Sequence, residues 1–312
     1  MSVADITFLN EQLAAPQQES QAVTIWRRFR RHRLALVGLS IALFLVVACF
    51  IGPYLTPFNT TTIPRNLGAL RELGPLVLAE DGFHILGTDS MGRDYFTRLM
   101  VGGQVSLALA FVVVVITQIV GTIVGGISGY YGGWVDSLIM RTVDFLITLP
   151  SLPIFLAVYV LIPKDAIPGG SITVLAAIFI VLGWMGSARL VRGMVLSLKN
   201  QEFTEAARAL GSSNRRIIMR HMIPNAIAPV LVSATLQVGG VVVGEAALSY
   251  LGFGVQPPDP SWGNMLLDVQ GKMMTDPLEV FYPGMAIFLT SLSFNFIGDA
   301  LRDALDPRGQ IK

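Results

Sequence analysis

The sequence predicts an all-α protein that crosses a membrane six times, and the distribution of its charges is the main reason. Hydrophobic residues make up 53% of the 312 residues and charged residues only 14%, against roughly 25% charged residues in soluble domains. A membrane-spanning helix needs roughly 18 apolar residues. Six windows of at least this length contain no Asp, Glu, Lys or Arg: 34–54, 105–130, 145–163, 166–188, 222–244 and 280–298.

Composition excludes several other classes of protein. The net charge of +1 provides no overall field that would attract nucleic acid. The single cysteine, Cys49, allows no internal disulfide, and the three histidines are too scattered in sequence to predict a metal site. The phosphate-binding pattern G-x-x-x-x-G-K-S/T does not occur. We therefore expect no cofactor on this chain, and any ATP and Mg would be bound by a partner chain.

The windows also predict the order of segments along the chain. They indicate a cytoplasmic N-terminal segment (1–33), a first transmembrane helix (34–55), an extracytoplasmic loop (56–101), a five-helix domain (102–302) and a cytoplasmic tail (303–312). Five arginines directly precede the first window, and basic residues are retained on the cytoplasmic side. The first helix therefore enters from inside, and six helices return the C-terminus there. These features predict a multi-pass protein of the plasma or inner membrane.

Glycines in two of the windows predict close helix packing. Gly121, Gly125 and Gly129 are each four residues apart in the second window, and Gly240 and Gly244 repeat this spacing in the fifth. Glycines four apart lie on one helix face and allow another backbone to approach closely. An interface that slides during transport and a tightly packed static interface are both compatible with this pattern.

The third window contains two prolines, Pro150 and Pro153. Each proline removes a helix hydrogen bond, and lipid tolerates such breaks only where neighbouring groups satisfy the freed carbonyls. A kinked helix that lines a pathway and a static bend both remain open. Before the prolines, Arg141 and Asp144 are three residues apart and are expected to pair on one helix face.

Glu245 is the acidic residue that lies well inside an apolar stretch, 222–258. Acids within a membrane are costly and usually functional, which would make Glu245 part of a proton relay. It lies about 20 residues past the helix start, however, and at about 1.5 Å per residue this places it near the outer interface. An interfacial acid that is bonded to a neighbouring helix is therefore the favoured interpretation.

The polar segment between the fourth and fifth windows predicts two short helices around a glycine. Asn200 is placed to cap the first helix, and Gly211 to end it in the left-handed conformation. Ser212 or Ser213 is placed to cap the second helix, which Pro224 is expected to terminate.

The first of these two helices has small residues on much of its surface. Ala206 and Ala207 would let it press closely into a groove on a partner, and Glu205 and Arg208 would fix its orientation. A solvated connector is the alternative, but such connectors are usually shorter and less ordered.

This segment resembles the E-A-A-x3-G-x9-I-x-L-P loop of ABC importer permeases. The matching positions are Glu205, Ala206, Ala207, Gly211 and Pro224. His221 and Ile223 replace the usual isoleucine and leucine, and these departures affect only the second helix. In that family the loop is a coupling helix that docks into a cleft of the ATPase subunit. The resemblance implies the same role here.

Further segments narrow the resemblance to the C-type permeases of peptide and nickel importers. They are the arginine run before the first window and the ranges 87–94, 129–136, 149–153 and 248–254. The resemblance implies the transmembrane domain of a type I ABC importer, without catalysis of its own. It also implies a homologous second permease, one or two ABC ATPases and an extracytoplasmic binding protein as partners.

The expected function is half of a translocation pathway for dipeptides or oligopeptides. Nickel chelates or another small solute are alternative cargoes, because selectivity rests largely with the binding protein in this family. A proton-coupled secondary transporter that uses Glu245 or Asp144 is the alternative from another class. Against it, the chain shows no internal repeat and no chain of acids at the midplane.

Overall fold

The computed structural model describes residues 21–60 and 66–305, and these residues are helical apart from one hairpin and the connecting turns. What was predicted for residues 1–20 and for the chain beyond 305 lies outside this part. The helices are α1 (Gln21–Arg31), α2 (Arg33–Ile51), α3 (Leu67–Leu70), α4 (Tyr95–Tyr131), α5 (Gly133–Thr148), α6 (Ser151–Leu161), α7 (Gly170–Gly183), α8 (Met185–Leu198), α9 (Glu202–Ala209), α10 (Asn214–Ile217), α11 (Ile223–Tyr250), α12 (Trp262–Val269) and α13 (Pro277–Leu305). The strands β1 (Val77–Ala79) and β2 (Gly82–His84) form an antiparallel hairpin.

The apolar windows form the membrane-spanning part of the fold. Within residues 21–60 and 66–305, five helical segments are long and apolar enough to cross a membrane: Arg33–Leu55, Tyr95–Tyr131, Gly170–Leu198, Asn214–Tyr250 and Pro277–Leu305. Helices α5 and α6 count as a sixth span only when taken together, since they meet at a bend of 90°. The prediction of an all-α polytopic fold is confirmed, but the third span is broken rather than kinked.

The break between α5 and α6 follows from Pro150 and its neighbour. A proline disfavours the helical conformation of the residue before it, and Leu149 is accordingly extended, with ψ at 136°. Pro150 is extended as well, with ψ at 112°. Pro153 lies in the first turn of α6, where the N–H groups have no partner within the helix. Pro150 therefore makes the turn, and α6 accommodates Pro153 without a second break.

The fifth span also differs from its prediction at a proline. Pro224 occupies the first turn of α11, and the helix continues through it from a π-helical turn at Ile218–Met222. A helix accommodates proline in its first turn, because the N–H group that proline lacks would have no partner within the helix there. The expectation that Pro224 terminates a helix is therefore wrong.

The second span begins earlier than predicted. Helix α4 starts at Tyr95, inside the segment that was expected to be a loop up to residue 101. Asp94 caps the helix, and its Oδ2 accepts the backbone N–H of Thr97 at 2.8 Å. The other oxygen of Asp94 lies 2.8 Å from Nδ1 of His84, at the end of β2. One carboxylate thus joins the hairpin to the start of α4.

Residues 87–94 form a turn just before this helix. Oδ1 of Asp89 accepts the backbone N–H groups of Met91 at 2.8 Å and of Arg93 at 2.9 Å. The side chain of Arg93 returns a bond to Oδ2 of Asp89 at 2.7 Å. Gly87 and Gly92 supply the two positive-φ positions of this turn.

The N-terminal segment contains a helix next to the first span. Helix α1 carries part of the arginine run, and its Phe29 is buried with Ala35, Ala300 and Ala304. The arginine run is therefore fixed against the end of α13.

Helix α4 runs through the centre of the bundle and packs against α2, α7, α8 and α11. Gly121, Gly125 and Gly129 all face α8. A Cβ at Gly125 would lie 2.3 Å from the carbonyl oxygen of Ala188, and one at Gly121 would lie 2.5 Å from the Cβ of Ser187. The two backbones are therefore in direct contact over two turns.

The glycine pair in the fifth span behaves differently. A Cβ at Gly244 would come 3.2 Å from the ring of Phe179. Gly240 is exposed, and among the described residues nothing lies within 4 Å of a Cβ built there. Within the described residues, no other helix of this chain packs closely against Gly240. Gly239 makes the close approach instead, 3.2 Å from the Cα of Ser291 on α13.

Replacing Gly125 by alanine should destabilise the bundle, since its methyl group would overlap the Ala188 carbonyl. Overpacking of this kind costs about 1–3 kcal/mol. Thermal unfolding in mild detergent, followed by size-exclusion chromatography, should show a lower midpoint for Gly125→Ala. Gly240→Ala is the matched control with the same gain in helix propensity, and it should leave the midpoint unchanged or raise it. Equal midpoints for the two variants would contradict the proposed contact.

Candidate functional site

The segment between α8 and α11 forms the first of the two predicted short helices, α9, whereas the second, α10, continues through the π-helical turn into α11. Gly211 ends α9 with φ at +74°, in the left-handed region, and Oγ of Ser213 caps α10 by accepting the N–H of Arg216 at 3.4 Å. The predicted cap at Asn200 is wrong, because the extended Gln201 precedes α9 and makes no side-chain cap bond. Thr204 anchors the helix instead, with its hydroxyl donating to the carbonyl of Leu198 at 2.9 Å.

Helix α9 has one face that packs on the bundle. Thr204 is fully buried and Ala207 is 8% exposed. Ala207 belongs to an apolar cluster that includes Val191 and Val195 of α8 and Met222 before α11. The structure therefore corrects one expectation: Ala207 contacts this chain's own core and is not part of a surface that a partner could contact.

The opposite face of α9 is available to another protein. We call it the outward face, and it consists of Glu202, Glu205, Ala206 and Ala209, all of them exposed. Arg208 flanks it and is exposed as well. Leu210 follows directly and is 87% exposed. The small side chains of Ala206 and Ala209 leave the helix backbone accessible to a close contact, and the neighbouring carboxylates can fix its orientation.

Helix α10 connects this segment to the centre of the bundle. The hydroxyl of Tyr130, at the end of α4, donates to Oδ1 of Asn214 at 2.6 Å. The next turns carry exposed arginines at 215, 216 and 220, which line an open cavity of about 530 Å³ beside Met219 and Pro224. A force on α9 or α10 would therefore reach α4 through Tyr130, as well as α8 through Ala207.

Two ion pairs join α5, the first arm of the broken span, to α8. Asp136 accepts from Nε of Arg192 at 2.5 Å and from Nη2 at 2.6 Å, and Arg189 bonds to Asp144. The expected pair of Arg141 with Asp144 is thus replaced by a pair between helices. The sequence contains an indication of these pairs, since Arg189 and Arg192 lie three residues apart directly after the charge-free window 166–188.

Glu245 of α11 is buried and faces α4. Its carboxylate accepts from the hydroxyl of Ser106 at 2.9 Å and from that of Ser249 at 2.7 Å. Ser106 belongs to α4, so the acid is bonded to a neighbouring helix, as the favoured interpretation expects. The contacts of Glu245 are with hydroxyl groups and those of Asp144 with an arginine.

Charged side chains join the loop before α4 to the end of the bundle where α4 begins. Nζ of Lys272 lies 3.1 Å from Oε1 of Glu72 and 3.0 Å from Oε2 of Glu279. Partial burial acts to lower the pKa of Lys272, but the hydrogen bonds to Glu279 and Glu72 outweigh it and hold this pKa above its ordinary value. Lys272 therefore stays charged and ties the loop to α13.

Uncharged polar side chains also meet in the middle of the bundle. Thr117 and Gln118 of α4 lie beside Ser233 and Gln237 of α11, with Nε2 of Gln118 donating to Oε1 of Gln237 at 2.8 Å. We call these four residues the amide cluster. Sequence reasoning missed it, although Gln118 lies at the centre of the charge-free window 105–130.

A bundle of apolar spans with broken helices, a polar centre and an ordered segment between α8 and α11 is the architecture of a membrane transport permease. Residues 121–310 match the family described as binding-protein-dependent transport system inner membrane component. Residues 20–75 match the N-terminal TM domain of oligopeptide transport permease C. The chain belongs to the family of binding-protein-dependent transport system inner membrane components. It is a permease subunit of an ABC importer.

Similar proteins cover nearly the whole chain. The dipeptide transport system permease protein of Alkalihalophilus pseudofirmus is 39% identical over 94% of this chain and 93% of its own length. The oligopeptide transport system permease protein of Haemophilus influenzae is 39% identical over 96% and 94%. The glutathione transport system permease protein of Escherichia coli is 38% identical over 91% and 89%.

Membership of this family has three direct consequences. The chain is a multi-pass protein of the inner membrane. A permease of this kind works with an ATPase and a substrate-binding protein. The alternative of a proton-coupled secondary transporter, with Glu245 or Asp144 as relay groups, is set aside.

The two ion pairs between α5 and α8 should differ in strength because they differ in burial. The side chains of Asp136 and Arg192 are 17% and 32% exposed, and those of Asp144 and Arg189 are 61% and 46% exposed. Asp136→Asn should lower the free energy of unfolding by about 1.5–3 kcal/mol, the usual value for a hydrogen bond to a charged group. Asp144→Asn should cost at most about 1 kcal/mol.

Thermal unfolding of the purified protein in mild detergent measures both effects. Since the two variants make the same chemical change on the same helix, Asp144→Asn serves as the matched control. Equal shifts would show that burial does not separate the two pairs.

Proposed function

We propose that this chain forms half of a translocation pathway for dipeptides and oligopeptides and couples it to ATP hydrolysis through α9. The coupling role rests on one observation about α9. The helix has a buried face with Thr204 and Ala207, and an outward face with Ala206 and Ala209. Peptide cargo is supported by the relatives, which are described as dipeptide and oligopeptide permeases.

The coupling would proceed from the outward face into the bundle. An ATPase subunit would hold the outward face in a cleft, with Glu205 and Arg208 fixing the orientation of α9. When ATP closes the ATPase subunits, α9 would move with them. The buried contact of Ala207 with α8, and the bond of Tyr130 to Asn214, would pass this motion to α8, α11 and α4.

The remaining parts of the pathway would come from other chains. A homologous second permease would complete the cavity, one or two ATPases would bind ATP and Mg, and an extracytoplasmic protein would deliver the peptide. The chain itself would bind no cofactor and make no covalent bond with its cargo. The arginine run in α1 supports an orientation with both termini in the cytoplasm.

The broken third span would act as a gate element in this scheme. Helix α5 is held to α8 by its ion pairs, so it would follow α9, whereas α6 leaves at 90° after Pro150. Pro153 would let α6 begin without a further break. The glycine contact of α4 with α8 would keep these helices together during the movement.

Affinity purification of the tagged chain in mild detergent, with mass spectrometry of its partners, tests the assembly. We expect an ATPase and a second permease in stoichiometric amounts. Proteoliposomes that contain this assembly and its binding protein should import a labelled tripeptide when ATP is supplied. A nickel chelate or another solute imported in place of peptides would overturn the proposed cargo and leave the permease assignment intact.

Substitutions of two adjacent alanines test the coupling. Ala206→Arg should keep the chain folded, because this residue is exposed, but should lower ATP-driven uptake roughly ten- to a hundredfold, since overpacking a close contact costs about 1–3 kcal/mol. Ala207→Arg should instead reduce the amount of folded protein, since it places a charge among Val191 and Val195.

Size-exclusion chromatography and peptide uptake separate the two effects. Ala206→Ser is the control that preserves the small size at the outward face, and it should import peptide at the wild-type rate. Wild-type uptake by Ala206→Arg would overturn the coupling role of α9.

A further inference from the structure

Three arginines line an open cavity at the point where α10 runs into α11. We call it the arginine cavity. It has a volume of about 530 Å³, and the residues that line it are all exposed: Ser213, Arg215, Arg216, Met219, Arg220 and Pro224. A molecule that enters the cavity therefore meets the arginine side chains directly.

The arginines of this cavity lack a counter-charge in the described part of the chain. Among residues 21–60 and 66–305 they form no ion pair, and no acidic side chain lines the cavity. Arg189 and Arg192 of α8, in contrast, are each paired with an aspartate. Like charges on neighbouring turns of a helix repel one another, and an anion between them would remove this repulsion. The planar guanidinium group suits a phosphate in particular, because it donates two parallel hydrogen bonds to it.

The cavity lies at the surface of the membrane, on the same side as α9. The helical segment Asn214–Tyr250 is continuous, and its charge-free window begins at residue 222. At about 1.5 Å per residue, Arg220 lies about 3 Å before this window and Arg216 about 9 Å before it. The headgroup layer beside the hydrocarbon core is roughly 5–8 Å thick. Arg220 is therefore at the depth of the headgroups, and the long side chain of Arg216 reaches them from outside.

An exposed apolar ridge leads from the cavity into the membrane. Pro224, Ile227 and Leu231 have the spacing i, i+3, i+7 and therefore lie on one face of α11. All three are exposed, and Pro224 itself lines the cavity. Met219 adds an exposed apolar side chain beside the arginines. One continuous surface thus combines a positively charged end at the headgroups with an apolar strip along the hydrocarbon core.

We propose that the arginine cavity binds the headgroup of an anionic phospholipid, with an acyl chain of the lipid along the apolar ridge. The phosphate would accept hydrogen bonds from Arg216 and Arg220, which are four residues apart. Basic pockets at the membrane surface bind such headgroups. A free phosphate would leave the ridge uncovered, and an acidic segment of a partner protein would satisfy only the arginines. The inference does not depend on the proposed cargo.

Native mass spectrometry of the purified full-length chain tests this binding. The chain is titrated in detergent with phosphatidylglycerol, and separately with phosphatidylcholine that has the same acyl chains. Each arginine near an anionic headgroup contributes roughly a fivefold gain in affinity. Wild type should therefore bind phosphatidylglycerol roughly ten- to a hundredfold more tightly than phosphatidylcholine. An excess of inorganic phosphate should not displace the lipid.

Single substitutions locate the site. Arg220→Gln should weaken phosphatidylglycerol binding roughly fivefold, and Arg220→Lys, which keeps the charge but loses the planar fork, should weaken it less. Arg302→Gln is the matched control, and it should retain the wild-type affinity. Arg302 is exposed and lies on the same side of the membrane, since it shares a groove with Asn225 in the first turn of α11, but it does not line the arginine cavity.

Four results would overturn the inference. Equal wild-type affinities for the two lipids would show that the cavity does not select a negative charge, and displacement by inorganic phosphate would show an anion site without a lipid. Equal losses in Arg220→Gln and Arg302→Gln would show only a general attraction to a basic surface. Loss of the co-purified ATPase in Arg220→Gln, with unchanged lipid binding, would assign the surface to that protein.

The comparison of the two lipids uses the wild-type chain, so it needs no variant to fold. None of these outcomes would affect the proposed function, which is tested by the transport of peptides.

Discussion

The backbone contact between α4 and α8 is the constraint on which the rest of the structure depends. At Gly125 there is no room even for a methyl group, because the Ala188 carbonyl occupies its place. Without a hydrophobic driving force between helices in lipid, such close contact is a main source of their association. It also fixes the positions of Arg192, which holds α5, and of Val191 and Val195, which hold α9.

The second constraint is the need to satisfy backbone groups where spans are interrupted. A broken helix is tolerated within a membrane only where protein groups or water complete its hydrogen bonds. A side chain from another helix supplies such a bond here, since Gln237 of α11 donates to the Gly183 carbonyl at the junction of α7 and α8. This interruption is therefore built together with the polar residue that supports it.

Much of the fold could be predicted from the sequence because the membrane imposes a length and a polarity on each span. The glycine face of α4 and the left-handed Gly211 also follow from local rules. Three of the differences from the sequence predictions have a common cause, since each depended on which neighbour a residue meets. Asp144 found Arg189 on another helix, Ala207 turned inward, and Gly240 met no helix of the described chain. Helix rotation of this kind is set by packing, which hydropathy does not contain.

In the proposed coupling, the two faces of α9 would place adjacent residues under selection from different molecules. Ala207 is constrained by the interior of its own chain, whereas the exposed Ala206 faces away from that interior. A change at position 207 can be compensated only by a change within this polypeptide. A change at position 206 would be compensated in a different gene, that of the ATPase. Ala206 and Ala207 are joined by one peptide bond but would therefore evolve independently. In a chimaeric importer built from two species, the residue at position 206 would have to match the ATPase, whereas the residue at position 207 would not.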